Sequence, residues 1–444
     1  MPSPGTIASP DRREVGLTTC VALVTATMVG TGVYTSLGFQ LQDLRSGFSI
    51  LLLWVLGGLI SLCGALSYAE LSARIPRSGG EYTYLSEIYH PALGFMAACV
   101  SLLAGFAGPI ALSAMAFGSY LHAAFPACRE GLSGMLAVVL ISLLHLRSLE
   151  TSSVVQNAAT ALKFLLVALF VAIGLRAAFL HPRSLAVLLP SGGSLAELAR
   201  PTSGIALLFV LYAYSGWNAT TYLAGEVRRG RRAVGLSLVL GTLAVTVLYV
   251  VLNAVFLTAA PADDLRGVLH VGSVAATHLL GAQGGRAMSA VIAVGLLASI
   301  SAMIWAGPRV TQRVGEDYPA LGFLARRSPA GIPVPAMLVQ LGLVLALLLW
   351  GSFESVLVLA QIPLLLCLML GVAGVLVLRA RSGPPGEGLF RCPLLPVPPL
   401  LFLACSAAGI LYSAFTRPWT ALGGLGIMLL PLLLHPLISR TPPR

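Results

Sequence analysis

Met28-Val-Gly-Thr-Gly-Val33 and Tyr212-Ala-Tyr-Ser-Gly-Trp-Asn218 each stand in the middle of an apolar run. An apolar helix gains nothing from two glycines around a hydroxyl, or from Ser, Gly and Asn in close succession. Glycine costs about 1 kcal/mol against alanine inside a helix, and irregular backbone at membrane depth is tolerated only where it lines a cavity or binds something. Both stretches therefore read as places where a helix opens at mid-depth. They fall in the first and sixth of twelve apolar runs, which lead two blocks of five. That spacing is expected of an inverted repeat with its site between the halves, although no residue-level repeat accompanies it. Close packing of small residues between helices would explain either motif alone, but not their corresponding positions.

The rest of the chain agrees with a membrane setting. Its 444 residues are 57% hydrophobic and 10% charged, with a mean hydropathy of +0.90, far outside soluble composition. A cytosolic enzyme, a secreted protein and a nucleic-acid binder are excluded. Apolar runs of roughly 20 residues, enough to cross a ~30 Å hydrocarbon core, start near residues 15, 48, 91, 132, 153, 202, 233, 284, 333, 352, 396 and 418. No segment alternates as the strand of a membrane β-barrel does. The expected fold is an all-α membrane protein of 12 transmembrane helices. Residues 1–14 form an N-terminal tail, 15–380 a ten-helix inverted-repeat core, 381–437 two additional helices and 438–444 a C-terminal tail. No cleavable signal peptide is expected ahead of the first run, because residues 1–14 are polar.

Cationic residues set the orientation, since Lys and Arg collect on cytoplasmic loops. With the N-terminus inside, 18 of the 27 cations fall on the cytoplasmic face, 8 on the other, and Lys163 in mid-membrane. Both termini are thus expected in the cytoplasm, and the net charge of +11 reads as an insertion signal. Abundant Ala, Leu and Arg with a single Lys suggest a GC-rich bacterial gene, hence an inner (plasma) membrane.

No energy-converting or catalytic motif is present. A phosphate-binding loop needs Gly-Lys, yet the one Lys follows Leu162. There is no His-Glu-x-x-His and no Gly-x-Ser-x-Gly, and the seven His stand singly. The seven Cys are scattered without metal spacing and read as small core residues. Neither an enzyme nor a metal or cofactor site is expected.

With these residues in view, the chain resembles the amino acid, polyamine and organocation (APC) superfamily. Gly30-Thr31-Gly32 resembles the break in that family's first helix. Tyr212-Ala-Tyr-Ser-Gly-Trp-Asn218, followed by Gly225-Glu226-Val227 and a basic stretch, is similar to the sixth helix of its L-type amino acid transporter branch. Tyr68-Ala-Glu-Leu71 with Ile75-Pro-Arg-Ser-Gly-Gly-Glu-Tyr-Thr-Tyr84 resembles the end of the second helix and the cytoplasmic segment after it. The resemblance implies a five-plus-five inverted repeat (LeuT-like) with helices 1 and 6 broken, working by alternating access.

Carried over by position, it implies that N–H groups around Thr31 and Gly32 receive a substrate carboxylate at the positive end of a half-helix. Carbonyls around Met28, Val29, Tyr212, Ala213 and Ser215 receive the ammonium. Gly30, Trp217 and Asn218 complete the expected substrate-binding set, with Trp305 a further candidate for pocket surface. The family often has Phe where Tyr212 stands, so its hydroxyl needs a partner. Ser215 in place of a common Gly narrows the room beside the substrate.

An amine at mid-depth is costly and rarely without a role. Lys163 lies about ten residues from either end of its run, too far to reach an interface by extending its side chain. The resemblance gives it the volume that sodium fills in sodium-coupled relatives. It would link the first-helix break to hydroxyls of the eighth helix, for which Ser299 and Ser301 are the candidates. Glu70 and Glu226 fall near helix ends, where pairing with Arg74 and with the 228–232 basic run is expected. Without a mid-span carboxylate, a neutral substrate is favoured.

The leading expectation is therefore a sodium-independent secondary active transporter of neutral amino acids, by exchange or proton symport. The alternatives are a cationic amino acid or polyamine transporter, and a transport-inactive amino acid sensor. The partners expected are a small-molecule amino acid and membrane lipids. The L-type branch attaches heavy chains through an outer-loop Cys, and Cys128 is placed on such a loop, but a covalent partner is not expected.

Overall fold

The computed structural model describes residues 16–146, 151–200, 203–227, 230–329 and 331–439. The first apolar run forms two helices, α1 (Leu17–Met28) and α2 (Thr31–Asp43). There follow α3 (Gly47–Arg74), the short α4 (Glu81–Ile88), α5 (Pro91–Ala124), α6 (Glu130–His145) and α7 (Thr151–Leu180). The sixth run supplies α8 (Ser203–Ala213), a five-residue turn and a 3-10 segment, Ala219–Glu226. The remaining helices are α9 (Gly230–Ala259), α10 (Val271–Asp317), α11 (Val334–Trp350), α12 (Phe353–Ser382), α13 (Val397–Thr416) and α14 (Pro418–Ser439).

Among the described residues, 9 helical stretches are long and apolar enough to cross a membrane, and α6, α8 and α11 are shorter apolar helices. The chain is an integral multi-pass membrane protein. Every apolar run of the sequence coincides with one of these helices, with one shift. The eighth run was expected from about residue 284, whereas α10 begins at Val271 and breaks at Gly281 (φ 75°, ψ 178°). Ser273, Thr277 and His278 interrupt the apolar pattern ahead of that break. Most of the two expected tails, and Arg147, Arg228 and Arg229, lie outside the described residues.

The surface explains the composition. Leu165, Val247 and Leu433 are 65%, 65% and 73% exposed, which suits hydrocarbon and not water. Inside, several large residues pair their polar tips, which no water can serve at membrane depth. Trp54 Nε1 donates to Gln40 Oε1 at 3.0 Å, and the Tyr214 hydroxyl to the Trp54 carbonyl at 3.0 Å.

The end of the bundle rich in arginine is fastened by one buried carboxylate. Glu70 pairs with the expected Arg74 at 3.1 Å, and also takes Arg379 on both oxygens at 2.6 and 2.8 Å and the Cys392 N–H at 2.8 Å. This ties α3 to α12 and to the segment before α13. Burial, with Glu70 close by, pushes the Cys392 thiol up to about 12, so it stays protonated and inert. All seven cysteines are free.

Candidate functional site

The break in the first run is made by two residues. Val29 leaves helical geometry (φ −73°, ψ 84°), Gly30 is extended (φ −128°, ψ −148°), and α2 restarts at Thr31 with no side-chain cap. The first-turn N–H groups of α2 thus have no partner within the helix, and they carry the positive end of its dipole. The second break turns at Gly216, whose φ of 97° is the left-handed conformation that glycine alone adopts freely.

The two breaks touch at two points. A Cβ added at Gly32 would lie 2.5 Å from the Ala213 Cα, and one added at Gly216 would lie 3.0 Å from the Thr27 Cγ2. The start of α2 thus abuts the end of α8, and the end of α1 abuts the turn after α8. Beside Gly30 the situation differs, because an added Cβ there would meet only the Met28 carbonyl oxygen at 3.9 Å. Space for a side-chain carbon therefore adjoins the break, beside first-turn N–H groups that have no partner among the described residues.

The carbonyls at the breaks are partly occupied by the protein's own donors. Met28 O accepts from the Gly30 N–H at 2.8 Å and from the Tyr249 hydroxyl at 2.5 Å. Tyr212 O accepts both the Ser215 N–H at 3.0 Å and the Ser215 hydroxyl at 2.6 Å. Val29 O takes the Lys163 ammonium at 2.6 Å, and Ala213 O the Tyr249 hydroxyl at 3.1 Å. A carbonyl oxygen has two lone pairs, so Met28 and Tyr212 are filled, while Val29 and Ala213 each keep acceptor capacity.

A region of unpaired donors beside carbonyls with spare capacity can hold a molecule carrying an anionic and a cationic end, and it lies within an apolar bundle. The whole chain bears on what that molecule is, since residues 15–425 match the family model described as amino acid permease.

The chain belongs to the amino acid permease family. The permease is 28% identical over 405 residues to the serine/threonine exchanger SteT of Bacillus subtilis, covering 89% of its own length and 90% of that protein. It is 27% identical over 403 residues to the cystine/glutamate transporter of Homo sapiens, covering 89% and 79%. With the b(0,+)-type amino acid transporter 1 of Mus musculus it shares 30% over 268 residues, 57% of the permease and 53% of that transporter. These matches bear out the family read from the helix breaks, and they are named as transporters or exchangers rather than enzymes.

The structure brings Met28, Val29, Gly30, Thr31, Gly32, Tyr212 and Ala213 of the permease to one place, with Ser215 on the turn beside them. The Thr31 hydroxyl pairs with Ser113 Oγ at 2.6 Å. Two expected substrate contacts face elsewhere. Trp217 is 2% exposed and packs edge-on against Tyr68 and Phe402. Asn218 donates to Glu81 Oε1 at 2.6 Å, and the Tyr222 hydroxyl to Glu81 Oε2 at 2.6 Å. Glu81 opens α4 and is 2% exposed, so this triad ties the 3-10 segment after the second break to α4.

Lys163 reaches the first break as read, and its stem packs over Gly295 of α10, where an added Cβ would lie 3.3 Å from the Lys163 Cγ. The two serines of α10 are engaged elsewhere. Ser299 bonds to the Gly295 carbonyl of its own helix at 3.2 Å, and Ser301 to His145 Nε2 at 3.0 Å. Trp305 lines a separate cleft and stacks beneath Arg309. The Glu226 side chain lies outside the described residues.

Tyr249 and Ser113 hold the candidate site, and Glu81 the segment beyond it, through contacts that the sequence does not announce. Tyr249 and Ser113 are single polar groups in apolar runs, each a possible core residue until its partner is known. Glu81 lies in the Ile75–Tyr84 stretch, but nothing in the sequence joins it to Asn218, 137 positions away.

Proposed function

We propose that this permease is a sodium-independent exchanger of neutral amino acids, moving them by alternating access around the two facing breaks. The observation that carries the reading is the juxtaposition of unpaired α2 N–H groups with the Val29 and Ala213 carbonyls. In it, Thr31 and Gly32 receive the substrate carboxylate, and Val29, Ala213 and Ser215 its ammonium. The side chain extends beside Gly30 and Tyr212. The Lys163 ammonium on Val29 supports sodium independence, because a fixed cation already sits where an unwound carbonyl would hold a mobile one.

Neutral specificity is supported by the acidic residues. Among the described residues, the buried carboxylates of Glu70 and Glu81 are both committed to protein partners, which leaves none to receive a cationic side chain. Exchange is supported by the 89% of the chain that aligns with a protein named as an exchanger. The same reading includes twelve spans built as a five-plus-five repeat over 15–380 with two further helices over 381–437. Both termini lie in the cytoplasm of a bacterial inner membrane.

The test is uptake of labelled amino acids into liposomes containing the purified permease, in sodium-free buffer, with and without unlabelled amino acids inside. Uptake into loaded vesicles alone, competed by neutral amino acids, is the expected result. Equal uptake into empty vesicles would replace exchange with net transport and lead to a pH-gradient experiment. Competition only by lysine or putrescine would overturn neutral specificity.

A further inference from the structure

A second cleft lies at the C-terminal half of α10, away from the helix breaks. It has a volume of about 290 Å³, roughly ten times the share of one liquid water molecule. Its lining mixes the apolar Trp305, Ile332, Pro333 and Met337 with Arg309, Arg313 and Arg327. Gln312, His145 and a single carboxylate, Glu316, complete the lining that bears on charge.

The charges do not balance. Glu316 is bonded by Gln312 Nε2 at 2.6 Å, Arg313 at 3.1 Å and Arg327 at 3.4 Å, and Arg313 also reaches Asp317 at 3.4 Å. Among the described residues no carboxylate pairs with Arg309. Its guanidinium instead lies 3.2 Å from the centroid of the Trp305 ring. Stacking of this kind holds the planar fork by its face and leaves its N–H edges free for a bidentate anion.

The position suits a membrane boundary. Trp305 is 42% exposed on an apolar helix, as expected of an aromatic residue at the headgroup level. Asp317, at the end of α10, accepts from the Tyr82 hydroxyl of α4 at 2.7 Å, which places the cleft at the arginine-rich end that carries Glu81.

We propose that this cleft binds a phosphate diester or monoester, supplied by the headgroup of an anionic phospholipid. The phosphate would sit between Arg309 and Arg327, with the glycerol and first acyl carbons along Trp305 and Met337. Cationic pockets between helices at the cytoplasmic face hold anionic headgroups by the same chemistry. Nothing in this inference depends on which amino acid is transported or on exchange.

The experiment measures lipid retained by the purified full-length permease in detergent by native mass spectrometry. Phosphatidylglycerol is offered against phosphatidylcholine of the same acyl chains, with inorganic phosphate and glycerol phosphate as soluble competitors. The wild-type protein should retain phosphatidylglycerol selectively. Arg309→Gln and Arg327→Gln should each reduce that selectivity by about fivefold, the factor expected for one arginine beside an anionic headgroup. Arg417→Gln, which breaks the pairing with Glu354 elsewhere, should leave it unchanged. If inorganic or glycerol phosphate protects Arg309-dependent thermal stability while phosphatidylglycerol does not, the site holds but its ligand is a soluble phosphate and the lipid assignment is overturned. Unchanged retention and stability in both cleft variants, each eluting as the wild type does, would overturn the site itself.

Discussion

Lys163 donates its ammonium to the Val29 carbonyl at 2.6 Å, across 134 positions of sequence. That bond joins α7 to the point where the first helix opens, and a charged donor on a buried carbonyl is stronger than a neutral one. Any motion that separates α7 from the α1–α2 break must first part this pair.

Lys163→Met keeps the apolar stem and removes the charge, so the variant is expected to fold. Losing a charged hydrogen bond of about 1.5–3 kcal/mol should slow counterflow at least tenfold. Wild-type uptake should be the same in sodium chloride and choline chloride. Full activity of Lys163→Met would leave Lys163 with no part in the cycle.

Tyr249 bridges the two breaks with one hydroxyl, its oxygen 2.5 Å from Met28 O and 3.1 Å from Ala213 O. Tyr249→Phe preserves the ring, which packs on Trp54 and Tyr214, and removes only the bridge. A stability loss of about 1 kcal/mol is expected in thermal unfolding, with a larger effect on substrate affinity because Ala213 O is freed to move. A variant identical to wild type in substrate protection against heat would show that the bridge does not shape the site.

These two residues mark how much of the site was legible in the sequence. Lys163 stood out because it is the only lysine of the chain and sits far from either end of an apolar run, so its cost demanded a partner. Tyr249 carried no such signal, since a tyrosine in an apolar helix is costly only if its hydroxyl is unpaired, and pairing is a tertiary fact. The breaks themselves were readable from glycine beside small polar residues, and the helices from run length. Asn218 shows the same limit, because its position in the second break is read from sequence while its bond to the distant Glu81 is not. Likewise Glu70 could be matched with Arg74 one turn away, whereas Arg379, which holds it on both oxygens, lies 309 positions on.

Glu81 accepts from Asn218 and Tyr222 on separate oxygens, both at 2.6 Å. Glu81→Gln keeps one acceptor oxygen for Asn218 and turns the Tyr222 hydroxyl into an acceptor, so two charge-assisted hydrogen bonds become neutral ones of about half the strength. That weakening costs about 1 kcal/mol, and α4 should part more often from the segment after the second break. A cysteine introduced by Thr221→Cys should then react faster with a maleimide in Glu81→Gln than in the Glu81 background. Each rate is corrected with the matched protein lacking the added cysteine. Equal rates would mean that the triad does not hold this end closed.

Gly30 and Gly32 are two positions apart and should fail in opposite ways. An added Cβ at Gly32 meets the backbone of Ala213 at 2.5 Å, and backbone cannot give way as the end of a side chain can. Gly32→Ala should therefore force α2 from α8 and destabilise the protein by about 1–3 kcal/mol, as overpacking does, visible as a lower thermal midpoint. At Gly30 the nearest atom is 3.9 Å from the added Cβ and φ is −128°, so Gly30→Ala should unfold at the wild-type temperature. The methyl group would instead occupy volume assigned to the substrate. Counterflow should fall with the fold intact, and large substrates should be excluded before small ones. Wild-type transport by Gly30→Ala would move the substrate away from this break, whereas an unchanged midpoint in Gly32→Ala would show that the contact between the two helices can relax.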